Sequence, residues 1–118
     1  MTVDQRKPAL AILLLALVPG QMLADQLIMK NGDVISGDIS SIADGKVSIK
    51  PAYADEFAVN LADVASVEAD QTFDVVLEDD REVEARFAGA DDGQQTLIVE
   101  EQPMMLALEQ IRMAQEPP

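Results

Sequence analysis

Cysteine, histidine and tryptophan are all missing from this chain of 118 residues. Without cysteine there is no disulfide framework, so an oxidising compartment is permitted but unused. Without histidine, a histidine-activated serine cannot be built, and no spacing of soft or borderline metal ligands is present. A glycine-rich phosphate loop is also missing. Basic residues are few: 8 against 22 acidic, a formal net charge of −14. That balance suits a well-solvated surface and repels polyphosphate and anionic headgroups. The one long apolar run, Ala9 to Val18, has ten residues, well short of the roughly 20 that a membrane-spanning helix needs.

That run is informative where it stands. Arg6 and Lys7 precede it, Pro19-Gly20 break it, and Ala24 offers a small residue for cleavage before Asp25. Together these predict a secretory signal over residues 1–24. No cysteine follows the run, which argues against a lipid anchor. Removing Asp4, Arg6 and Lys7 leaves 21 acidic and 6 basic side chains in residues 25–118, a formal charge of −15. A chain of this length buries one modest core or two very small ones.

An internal repeat organises the remainder. A shift of 48 places Leu27, Met29, Ile35, Gly37 and Ile39 on Val75, Leu77, Val83, Ala85 and Phe87, and Asp44-Gly45 on Asp92-Gly93. Later in the unit a shift of 47 places Val59, Leu61 and Val64 on Leu106, Leu108 and Ile111. Strict apolar alternation over short runs predicts half-buried strands. In the first unit Leu27/Met29, Ile35/Gly37/Ile39, Val47/Ile49 and Phe57/Val59/Leu61 should face inward. In the second the inward set is Phe73/Val75/Leu77, Val83/Ala85/Phe87, Leu97/Val99 and Met104/Leu106/Leu108. Asn31-Gly32 predicts a type I′ hairpin, Asp44-Gly45 and Asp92-Gly93 mark further turns, and Asp79-Asp80 should give a looser one. Gly37 is expected to let its strand bend. Single helical turns are expected at Leu61–Val64 and Leu108–Ile111, and one continuous strand across Ser66–Leu77. The fold class is therefore all-β: two tandem SH3-like, Sm-like barrels, residues 25–70 and 71–118, packed on each other after a cleaved signal peptide.

"LIMKNGDVISGDIS" (Leu27–Ser40), "DGKVSIK" and "VNLADVASVEAD" resemble the soluble N-terminal repeat region of the uncharacterised salt-induced outer-membrane protein family of bacteria. There a signal peptide precedes an "L-x-NG-D-x-x-x-G-x-I" hairpin repeat and a long C-terminal barrel. The chain ends at Pro118, so that barrel is not expected. The resemblance implies an envelope location and an accessory β-module, with no catalytic residue to carry over. The first of these stretches is also similar to the first motif of RNA-binding Sm-like proteins. No Arg-Gly second motif follows, and an acidic surface does not suit phosphate, so no nucleic acid is expected.

Candidate chemistry is thin. Glu78-Asp79-Asp80, Asp91-Asp92 and Glu100-Glu101 are paired carboxylates, but a general acid needs a dry cleft that a small filled barrel does not offer. Asp79, Asp80, Asp91 and Asp92 are weak candidates for a divalent cation, since no EF-hand-type loop converges their oxygens. Met104, Met105 and Met113 are better suited to filling gaps than to copper. No cofactor, catalytic residue or small-molecule substrate is expected. The outward apolar residues Ile28, Val76, Ile98 and Met105 are candidate contacts, for the other unit or for a partner. The expected role is a non-catalytic periplasmic interaction module that binds an envelope protein through a strand edge or this apolar stripe. The alternative is an acidic, cation-binding or salt-responsive periplasmic protein.

Overall fold

A computed structural model describes residues 24–117; all of the expected signal segment except Ala24 lies outside them. Nine strands form one antiparallel sheet: β1 (Asp25–Met29), β2 (Val34–Ala43), β3 (Lys46–Lys50), β4 (Phe57–Asn60), β5 (Val64–Leu77), β6 (Glu82–Asp91), β7 (Gln94–Val99), β8 (Gln102–Leu106) and β9 (Ile111–Gln115). The protein is all-β, with single 3₁₀ turns at Leu61–Asp63 and Leu108–Gln110 leading into β5 and β9. Among the described residues no helix is long and apolar enough to cross a membrane.

The hydrogen-bonded order is β4-β3-β2-β1-β5-β6-β7-β8, and β9 pairs with both β2 and β5. β1 also pairs with β2 and β5. β1 and β9 therefore lie end to end between the two long strands and close a small barrel. The sheet's free edges fall at β4 and β8.

Pairing repeats along the chain with the spacing of the apolar pattern. Leu27 lies opposite Ile35 as Val75 lies opposite Val83, and Ile39 opposite Ile49 as Phe87 opposite Leu97. Val47 lies opposite Val59 as Gln95 lies opposite Leu106. β5 pairs with β1 through Val64 and Ser66–Glu68, and Met113–Gln115 of β9 pair with Asp74–Val76 of β5 on one side and with β2 on the other. β9 reaches Ser41–Ala43 of β2, and β5 reaches Phe87–Ala88 of β6. β5 and β9 thus each pair across the boundary between residues 25–70 and 71–118.

The core follows from this pairing. Leu27, Val47, Ile49 and Val67 from the first half and Phe73, Val75, Leu97 and Ala114 from the second belong to one buried cluster. Phe73 and Phe87 meet edge to face, with ring centroids 5.3 Å apart, the geometry that aromatic quadrupoles favour. A bulge between Ile39 and Ser41 inserts one residue and shifts the side-chain parity. Ile42, which alternation from Ile39 would turn outward, is buried as a result.

Turn chemistry differs from the sequence expectation at two places, and the role of Gly37 at a third. Asp44-Gly45 and Asp92-Gly93 have positive φ at both residues, as type I′ turns require. At Asn31-Gly32 only Gly32 is left-handed (φ 95°), so the connection is not type I′. Met29 N–H bonds the Asp33 carbonyl and Gly32 N–H bonds the Met29 carbonyl. Together these describe a three-residue loop closed by a glycine bulge. The Asp79-Asp80 hairpin is not looser. Leu77 N–H to the Arg81 carbonyl and Asp80 N–H to the Leu77 carbonyl repeat those two bonds, and Asp80 takes the left-handed place of Gly32 (φ 68°). Gly37 is required by close approach more than by bending. A Cβ there would lie 2.6 Å from the Lys50 carbonyl oxygen and 2.8 Å from Pro51 Cα, both backbone atoms.

Candidate functional site

Polar groups inside the barrel serve the fold. Buried Asp25 accepts hydrogen bonds through Oδ2 from Ile39 N–H (2.9 Å) and from the Gln71 side-chain amide (2.8 Å). The buried Ser66 hydroxyl accepts from Ala90 N–H at 2.9 Å. Gln95 lies beside Val67 and bonds both its N–H and its carbonyl. Among the described residues no buried side-chain nitrogen or oxygen lacks a partner, so no inward polar group is left aimed at a ligand.

The four candidate cation ligands fall at two separate places. Asp79 and Asp80 are in the β5–β6 turn, while Asp91 ends β6 and Asp92 follows it in the β6–β7 turn, so the two pairs lie at opposite ends of β6. Ten residues at about 3.3 Å each put roughly 30 Å between the pairs, so they cannot share an ion. Asp79 takes the Arg81 backbone N–H on Oδ1 (3.2 Å) and the Arg81 Nε–H on Oδ2 (2.8 Å). The backbone donor, then the guanidinium, holds this exposed carboxyl below the usual carboxylate range. Asp80 is ion-paired to Arg112. Among the described residues no three carboxylates converge in a way that could hold a metal.

The outward apolar candidates do not form one stripe. Ile28 is half-buried on β1, between Val34 of β2 and Ser66 of β5. Val76 occupies the corresponding place in the second half, between Glu82 of β6 and Met113 of β9. Ile98 and Met105 are closer together, on the outer face of β7–β8, where they lie opposite Pro103 and Thr96. Met105 is 63% exposed.

Sequence reading missed the residues around β4. Of four aromatic residues, Phe73 and Phe87 are in the core, while Phe57 is 41% and Tyr53 is 85% exposed. Phe57 does face the core side, opposite Ile49 as alternation expects. It stays uncovered because, among the described residues, no strand lies beyond β4. Tyr53 sits in the loop between β3 and β4, a stretch without alternation, where a lone aromatic between two alanines was the available signal. That loop is held by Lys50 Nζ donating to the Ala54 carbonyl (3.4 Å) and by Ser40 Oγ donating to Glu56 Oε1 (3.2 Å).

The two free edges are not equivalent. β8 contains Pro103, which lacks a backbone donor, and it follows a tight Glu100-Glu101 turn. Proline and charge are common guards against edge pairing. β4, Phe57-Ala58-Val59-Asn60, likewise follows two acidic residues, Asp55-Glu56, but contains no proline, so every one of its residues keeps a backbone donor. No family model, no curated protein and no solved structure matches this chain.

Proposed function

We propose that this chain is a non-catalytic, exported interaction module of the bacterial envelope that binds a protein partner along the free edge of β4. The observation that carries the reading is that edge itself: four residues without proline, with two of the chain's four aromatics exposed beside it. An extended partner segment would add a strand, with backbone bonds giving affinity and alternate side chains giving specificity. Net backbone hydrogen bonds contribute about 0.5–1.5 kcal/mol each. Four residues alone therefore bind weakly, and Tyr53 and Phe57 supply the anchoring area. The two halves are read as SH3-like units, because each runs fifth-first-second-third-fourth strand with a 3₁₀ turn before the fifth. Export to the periplasm rests on the basic and apolar residues before Pro19-Gly20 and on Ala24 before Asp25. The likeness to the salt-induced outer-membrane family supports the same address.

A photo-crosslinking phenylalanine at Tyr53, in intact bacteria, tests the edge. One discrete adduct is expected, lost when Ala58→Lys is added to block strand addition. An equal adduct from the same probe at Gln102 on β8, or none from position 53, would overturn the assignment.

A further inference from the structure

We infer that the outer face of β9–β5–β6 is a second docking surface, independent of the β4 edge, and that it takes an extended protein segment with lysine or arginine at alternate positions. Val76 and Met113 lie opposite each other there, half-buried and 38% exposed respectively, as an apolar floor. Asp74, Glu82 and Glu84 line the same hollow. Among the described residues, ion pairs join Arg81 to Asp79 and Arg112 to Asp80, and none reaches this rim.

The fold does not demand these carboxylates. By pairing, Asp74, Glu82 and Glu84 occupy the places that Gln26, Val34 and Ser36 hold in the first half, which forms the same strands in the same register without charge. The charge is therefore a feature of this surface and not of the scaffold. Its spacing sets the conformation of the occupant. Glu82 and Glu84 are two residues apart on one face of β6, roughly 7 Å, and Asp74 lies directly opposite Glu84. Alternate side chains of an extended segment recur at the same spacing. Two cations at positions i and i+2 would meet both rows, while an apolar residue covers Val76 and Met113. Net charge strengthens the encounter without selecting this face; the selection comes from the uncompensated rim and its floor.

The test is a titration of the ¹⁵N-labelled full chain with a seven-residue peptide of alternating lysine and threonine. It is run at low ionic strength and again at about 150 mM salt, where screening reaches about 8 Å. Saturable amide shifts confined to Asp74–Val76, Glu82–Glu84 and Met113–Gln115 are expected, weakening with salt. The variant Asp74→Gln/Glu82→Gln/Glu84→Ser should bind about tenfold more weakly, from three surface pairs at a few tenths of a kcal/mol each. The variant Asp55→Asn/Glu100→Gln/Glu101→Gln changes net charge equally, away from this face, and should bind within about twofold of the parent. Shifts spread over all acidic surfaces, equal losses in the two variants, or no saturable binding would overturn the inference. None of these results bears on crosslinking from Tyr53.

Discussion

Gln95 provides the sharpest test of how the halves are joined. The residue is 1% exposed. Its Oε1 accepts Val67 N–H at 2.9 Å, and its Nε2 donates to the Val67 carbonyl at 2.9 Å and to the Thr96 carbonyl at 3.1 Å. The side-chain amide thus stands in for a neighbouring strand along β5, where β6 bulges between Phe87 and Ala90. The corresponding residue of the first half is Val47, also fully buried, beside a β2 that pairs regularly with β9. Gln95→Val should therefore strip Val67 of both partners in a dry interior. Each orphaned group costs about 1–3 kcal/mol, and the more apolar side chain returns about 1–2 kcal/mol. The net loss expected is about 2–4 kcal/mol, a large share of the 5–15 kcal/mol typical of a domain. With no tryptophan and an exposed tyrosine, urea unfolding is best followed by far-UV circular dichroism. The midpoint should fall with an unchanged slope, and Tm by roughly 8–30 °C. Gln95→Leu, closer in volume, should behave similarly. A loss below about 0.5 kcal/mol in both variants would refute the claim that the amide completes the ladder.

Three other perturbations probe the local geometry. Gly37→Ala should cost about 3 kcal/mol, the upper end for overpacking, because the obstructing atoms are backbone; the reverse change at the corresponding site, Ala85→Gly, should cost only about 1 kcal/mol by denaturant titration. Glu100 and Glu101 both sit at positive φ (52° and 67°) in a two-residue turn, so Glu100→Asn with Glu101→Gly should stabilise the protein by about 1–2 kcal/mol in the same assay. Asp79 has its folded pKa lowered, first by the Arg81 backbone donor. Its contribution is then present above the ordinary carboxylate range and lost as pH falls through the folded value, so an NMR titration should show the Arg81 amide moving at lower pH than an ordinary aspartate titrates. The Asp79→Asn variant should lack that step.

The residues themselves determined the secondary structure. Apolar alternation set the inward sides of β1, β3 and β7, and Asp-Gly pairs set two type I′ turns. Such features are local: side-chain period and positive-φ tolerance act within a few residues of where they are read. The rest was decided by contacts between distant segments. Nothing near Gln95 says that Val67, 28 residues away, would need its amide, and a glutamine in an alternating run reads equally well as solvated. Gly37 looks like a bend until Lys50 and Pro51 lie against it. Phe57 has the pattern of a core residue and is exposed only because the sheet ends at β4. Which strand ends cross between the halves, and which edges stay open, depends on where backbone groups remain unpaired once every other strand is in place. Only the tertiary structure settles that.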